Sequence, residues 1–242
     1  MALVIRKAVY DEWHFKIALS YNNIGVAWFQ ARDYPKAYES ILKALEIRKH
    51  IYGRQHRETA NSYLVIGSAL NELGKHEAAL DSISLGIEIL KSLYGERHPL
   101  LGNGYNVLSS IWLDLHDDQK AIEFSRKALD IWKIFYDERH PAVASSYNNL
   151  GRALLKQGKY TEALNYCRKA LSIYLSAYKN PHRSVGDVYR DLGEIYFAQK
   201  LFAEAYGNYE NAFEIYLNVF GKDHKETKKI QRKLDEAKRL RG

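Results

Sequence analysis

Six histidines recur at one spacing: His14, His56, His98, His140, His182 and His224 lie 42 residues apart. Histidine is the commonest metal ligand, so a regular series of them invites a metal-binding reading. The spacing opposes it. Each histidine falls in a different unit of the chain, so no two converge as zinc ligands do. A polar residue just before a helical stretch instead bonds the backbone N–H groups left open at a helix start, and that is the role expected here. Tyr52, Tyr94, Tyr136 and Tyr178, each four residues upstream of a histidine, are expected to close the seam between successive units.

A second set of polar residues is amidic. The residues after a recurring tyrosine (Tyr21, Tyr63, Tyr105, Tyr147, Tyr189) read Asn22-Asn23, Leu64-Val65, Asn106-Val107, Asn148-Asn149 and Arg190-Asp191. Two residues before that tyrosine stand Leu19, Asn61, Asn103, Ser145 and Asp187; five residues after it stand Val26, Ser68, Ser110, Arg152 and Glu194. Asparagine is a mediocre helix former, so its clustering asks for a reason. Its side chain both donates and accepts, and a ladder of such amides can pair with the backbone of an extended peptide. Arg152 and Arg190 are the candidates for meeting a carboxylate on that ligand. The candidate peptide-binding set is therefore Asn22, Asn23, Asn61, Asn103, Asn106, Asn148, Asn149, Arg152 and Arg190. The alternative is ordinary solvated helix surface. The pattern is broken by Leu64-Val65, which make one segment apolar, and by Asp187, Asp191 and Glu194, which make another acidic. A ligand with both apolar and polar anchors would suit such a wall.

The elements that position these residues follow from the same period. From Tyr147, the apolar residues Leu150, Leu154 and Leu155 with Gly151 share one face of a helix, and Ala163, Leu164, Cys167, Ala170, Leu171 and Tyr174 share a face of a second. Gly158 lies between the two runs, where a left-handed residue can end the first helix. Each unit thus reads as helix A, a tight turn, helix B and a longer connection. Small residues hold fixed slots: Gly25, Gly67, Ser109, Gly151 and Gly193 on helix A, and Ala37, Ala79, Ala121, Ala163 and Ala205 on helix B. Glycine is a poor helix former, so its recurrence implies two helices pressed together where a larger side chain would overpack. Pro35 falls at the start of a helix B, Pro99 and Pro141 at the start of a helix A, where a missing N–H costs nothing.

Composition sets bounds. No apolar run reaches the length of a transmembrane helix, and the opening segment lacks the apolar core and cleavage site of a secretory peptide. The single cysteine, Cys167, excludes an internal disulfide and sits in a core slot of helix B. A reducing, cytoplasmic setting is the expectation. The net charge of +7 is concentrated in the last stretch, so the chain is not basic throughout. No Walker loop, G-x-G-x-x-G, H-E-x-x-H or C-x-x-C occurs, and no Ser, His and acid set stands apart from the repeat register. No cofactor and no metal are therefore expected.

A period in the 20–50 range marks a stacked repeat protein. The aromatic, Leu-Gly, and Ala–apolar–Ala pattern, as in Tyr147, Leu150-Gly151, Ala163, Cys167 and Ala170, resembles the tetratricopeptide repeat. With YNNLG, KALSIY and YDERHPAVA at a period of 42, the chain resembles the long form found in kinesin light chains. The resemblance implies an all-α fold, an α-solenoid coiled into a right-handed superhelix, with the A helices lining its concave wall. It implies one array over residues 1–242: a partial helix B over 1–15, full repeats at 16–57, 58–99, 100–141, 142–183 and 184–223, and a capping helix at 224–242. It also implies a non-enzymatic scaffold that takes linear peptide segments of partner proteins, with cargo or adaptor recognition of the light-chain type as one form. The partial first unit suggests a piece of a longer chain. A helical-repeat regulator or phosphatase acting on a signalling partner is the other function class. Neither nucleic acid nor membrane is an expected partner: in the last helix Asp223, Glu226, Asp235 and Glu236 interleave with the basic residues.

Overall fold

The computed structural model describes residues 2–241. Among them are twelve α-helices and no strand: α1 (Ala2–Val9), α2 (Phe15–Gln30), α3 (Tyr34–Tyr52), α4 (Arg57–Glu72), α5 (His76–Tyr94), α6 (Pro99–Asp114), α7 (Asp118–Phe135), α8 (Pro141–Lys156), α9 (Tyr160–Ala177), α10 (Arg183–Ala198), α11 (Phe202–Phe220) and α12 (Lys225–Leu240). The chain divides into two compact units, Met1–His116 and Asp117–Gly242. In the first, α2 pairs with α3 and α4 with α5, with α1 and α6 beside them. In the second, α8 pairs with α9 and α10 with α11, and α12 packs on α11.

The A–B contact is as close as the small slots imply. A Cβ built on Gly25, Gly67 or Gly151 would meet the carbonyl oxygen of Ala37 at 3.2 Å, Ala79 at 3.1 Å or Ala163 at 3.2 Å, and would overlap the side chain of Ile41, Ile83 or Cys167. The alanines of that slot are wholly buried. Packing of this density leaves no room for a methylene at the glycine, which accounts for the recurrence of small residues on both helices.

The histidines cap helices. Nδ1 of His14, His56, His98, His140, His182 and His224 accepts a hydrogen bond from the backbone N–H two residues on, at 3.1–3.2 Å. An aromatic ring four residues upstream lies flat on each imidazole: Tyr10, Tyr52, Tyr94, Tyr136 and Tyr178 at centroid distances of 3.7–4.2 Å, and Phe220 at 4.6 Å. The stack fixes the ring plane, and the ring fixes the direction of the cap. The connection between units is held by this pair even where its backbone changes. Gly53, Gly95 and Gly221 end α3, α5 and α11 at positive φ, while Tyr136 and Tyr178 end α7 and α9 in extended conformation.

The turn from helix A to helix B has a left-handed residue in every unit: Arg32, Gly74, His116, Gly158 and Lys200, with φ between 60° and 74°. Only two of the five are glycine. Pro35, Pro99 and Pro141 lie in the first turns of α3, α6 and α8.

Candidate functional site

The polar residues singled out on the A helices form the wall expected to meet a ligand. In the first unit Asn22 and Asn61 are half-buried, while Asn23 and Asn103 are exposed; Asn106 is half-buried on α6. In the second unit Asn148 and Arg152 are half-buried, but Asn149 is only 7% exposed, leaving little of it to a ligand.

A second series recurs in register on the B helices, one that the amide pattern alone does not reveal. Its members are Arg48, Leu90, Trp132, Tyr174 and Tyr216, each 26 residues after a wall residue. Arg48 on α3 is buried. Its Nη1 donates to Asn22 Oδ1 at 3.1 Å, to Ser62 Oγ at 2.7 Å and to the carbonyl of Glu58 at 3.3 Å. Its Nη2 pairs with the Glu58 carboxylate at 2.8 Å. Burial draws the pKa of Arg48 down and Glu58 pulls it back up; an arginine stays charged through a shift of this kind. Arginine at Arg6 and Arg48, in a register that is otherwise apolar and aromatic, is the sequence signal for it.

In the fifth repeat the polarity is reversed. Here the arginine is the wall residue: Arg190 donates from Nε and Nη2 to Asp191 Oδ1 at 3.0 and 2.8 Å, and from Nη1 to Asp187 Oδ1 and the Tyr216 hydroxyl at 3.3 Å. The Tyr216 hydroxyl donates in turn to Asp187 Oδ1. Burial opposes the charge of Arg190, but Asp191, Tyr216 and Asp187 outweigh it and hold its pKa well above the ordinary value. The carboxylates Arg190 meets are thus the chain's own, and a ligand carboxylate would have to compete with both.

Two lateral contacts tie one A helix to the next. Asn148 Nδ2 on α8 donates to Asp191 Oδ2 on α10 at 2.9 Å. Asn71 Nδ2 on α4 donates to Asp114 Oδ2 on α6 at 2.7 Å, and its Oδ1 lies 2.9 Å from His76 Nδ1. Cys167 lies under Asn148, with Sγ 3.8 Å from Oδ1; burial raises the thiol pKa far above its ordinary value, so it is an inert core residue.

Among the described residues no group of three or more His, Cys, Asp or Glu could hold a metal ion, and no helix is long and apolar enough to cross a membrane. The site residues are amides, hydroxyls and half-buried charges on the A helices of each unit. It can hydrogen-bond a chain.

Paired helices of fixed length, small residues at their contact and a capped connection every 42 residues define a helical-hairpin repeat protein of the α-solenoid class. A tetratricopeptide repeat profile matches residues 16–92 and 111–176, and a second matches 185–226; the chain belongs to the tetratricopeptide repeat family. No curated protein sequence matches it. Solved structures similar in fold include BtubC (BKLC) from P. vanneervenii, 20% identical, with a TM-score of 0.64 over 86% of this chain and 82% of that one. Another is a putative kinesin light chain with nearly identical TPR-like repeats from Podosopora anserina, 18% identical, TM-score 0.58, covering 85% of this chain and 98% of that one. A third is NprR in complex with its cognate peptide NprX, 18% identical, TM-score 0.72, covering 99% of this chain and 65% of that one.

Proposed function

We propose that the chain is a non-catalytic protein-interaction scaffold that takes extended peptide segments of partner proteins along its A-helix wall. The observation that carries this reading is the set of amides that folding leaves at the surface. Asn22 and Asn23 on α2, and Asn61 and Asn103 at one matching slot of α4 and α6, are exposed or half-buried, where a core residue would gain nothing from being asparagine. Arg152 is the candidate for a carboxylate on the ligand, and Arg190 serves the wall through Asp187 and Asp191. NprR, which shares the fold, binds its cognate peptide NprX; that likeness supports the capacity of such a fold to hold a peptide and says nothing of which one. Recognition of cargo or adaptor segments, as in light chains, is the finer form of the proposal. The single buried cysteine is compatible with work in a reducing, cytoplasmic setting.

The test is a peptide-library screen against the purified chain. Capture of defined peptides, weakened tenfold or more by Asn22→Ala with Asn103→Ala while the variant stays helical by circular dichroism, is the expected result; one lost hydrogen bond in a dry contact accounts for a change of about tenfold. Peptides held with undiminished affinity by the double variant would place binding elsewhere.

A further inference from the structure

The wall asparagines look equivalent in sequence, yet their partners differ in a way that fixes what each can offer a ligand. A guanidinium has donors and no acceptor, so only the carbonyl end of an amide can face it. Arg48 therefore holds Asn22 by Oδ1, at 3.1 Å. Arg48 cannot turn away, because it is 4% exposed and also bound by Ser62 and Glu58. The Nδ2 of Asn22 has no partner among the described residues and is the end left to a ligand. Asn148 is held the other way. A carboxylate oxygen accepts, and Asp191 takes Arg190 on Oδ1. Its Oδ2 takes the Nδ2 of Asn148, and the Oδ1 of that amide lies 3.8 Å from the buried Cys167 Sγ, which donates to it, so both ends of Asn148 are engaged within the protein.

We infer that Arg48 is a positioning residue that sets the hydrogen-bonding sense of the wall at Asn22: Asn22 is a locked donor that selects a carbonyl or carboxylate on the ligand. The inference rests on the peptide-binding reading for its functional half. The lock itself belongs to the free protein.

Two measurements test it. The first needs no ligand: melting temperatures of Asn22→Ala, Arg48→Leu and the double variant. Leucine already fills this slot at Leu90, so Arg48→Leu has a fold-compatible shape. The expected result is coupling, with the double variant losing less than the sum of the two single losses; strict additivity would overturn the lock. The second uses peptides recovered by the parent chain. Asn22→Asp keeps the shape and gains a charge pair with Arg48, but offers acceptors only. It should retain the parent melting temperature and lose binding about tenfold, as Asn22→Ala does. Parent-like binding by Asn22→Asp would show that Asn22 accepts, against the inference. Recovery of no peptide at all would sink the peptide reading, and the melting measurement would still decide the lock. Arg48→Leu adds the readout that a purely structural role would not move. Freed to rotate, Asn22 should bind peptides carrying an N–H at that point about as well as those carrying a carbonyl. An unchanged preference in Arg48→Leu would remove Arg48 from the role.

Discussion

The two units solve one packing problem with different chemistry. At the seam where a helix B meets the next helix A, the first unit uses arginine at its first two seams and the buried Leu90 at its third. Arg6 donates to the carbonyl of Lys16 and to Ser20 Oγ, at 2.9 and 2.8 Å. Arg48, 42 residues on, repeats the contact with the carbonyl of Glu58 and Ser62 Oγ. In the second unit the same register is aromatic: Trp132, Tyr174 and Tyr216 are buried, and the serine slot holds Ser146, Val188 and Ile230, also buried. The polar seam works because every donor that burial exposes to a dry environment has a partner. The aromatic seam works by area and needs a partner only for its hydroxyl. What decides between the two is the local partner set, since the backbone plan is common to both.

This contrast makes the largest prediction. Tyr216→Ala should cost about 3–5 kcal/mol, the usual toll for emptying a large aromatic site. Arg48→Leu should cost less, about 1–3 kcal/mol, because it strips a donor from Asn22, Ser62 and Glu58, of which Glu58 is open enough to turn to water. Urea unfolding of both variants would measure the difference. Equal losses would mean that the two seams are not alternative solutions of one problem.

The A–B contact should not distinguish the units. Gly67 in the first and Gly151 in the second stand over the carbonyls of Ala79 and Ala163 at 3.1 and 3.2 Å. Leucine at either should therefore destabilise by about 1–3 kcal/mol or more through overpacking. A neutral Gly151→Leu beside a costly Gly67→Leu would show that the softer Cys167 neighbour yields where Ile83 does not.

The histidine caps are also shared, and they give a pH dependence. Burial lowers the pKa of His98 and of His182 below the ordinary 6.5; Arg57 adds to this at His98 and Arg183 at His182, where Asp187 opposes. The cap needs a neutral ring, because Nδ1 accepts. Below 6.5 the unfolded chain takes up these protons before the folded one does. Their contribution is thus fully present above that value and is lost as pH falls through it toward the folded pKa. The melting temperature should decline between pH 7 and 5. An asparagine cap does not titrate in this window, so His98→Asn with His182→Asn should flatten the decline. A pH-independent melting temperature in the parent would refute the assignment.

Much of this was legible before any coordinates. The period, the glycine and alanine slots and the histidine caps are repeated in every unit or nearly so, and repetition separates a constraint from an accident. What stayed hidden was carried by single residues. The role of Arg48 depends on Ser62 and Glu58 from the next hairpin, which no spacing argument brings together. Arg190 reads as a free cation in sequence, but its neighbours Asp187 and Asp191 lie within reach on the same helix face. Asn149 follows Asn148 in the chain, yet a helical step of about 100° carries it into the core while Asn148 stays at the wall.

The smallest prediction comes from the left-handed turn between helix A and helix B, where sequence also misled. Gly158 announces the turn, but Arg32, His116 and Lys200 hold the same conformation without being glycine, at φ of 60°, 61° and 61°. A side chain in this region crowds the following carbonyl at roughly 1–2 kcal/mol, while glycine is penalised by roughly 0.5–1 kcal/mol for the extra freedom it has when unfolded. The difference leaves Lys200→Gly stabilising by about 0.5 kcal/mol. The reverse change in the first unit, Gly74→Lys, should lose a similar amount, since a Cβ at Gly74 meets nothing within 4 Å and the backbone angle alone decides. Paired denaturation curves would read both signs. A loss at Lys200→Gly would mean that its side chain contributes to the turn more than the backbone strain removes.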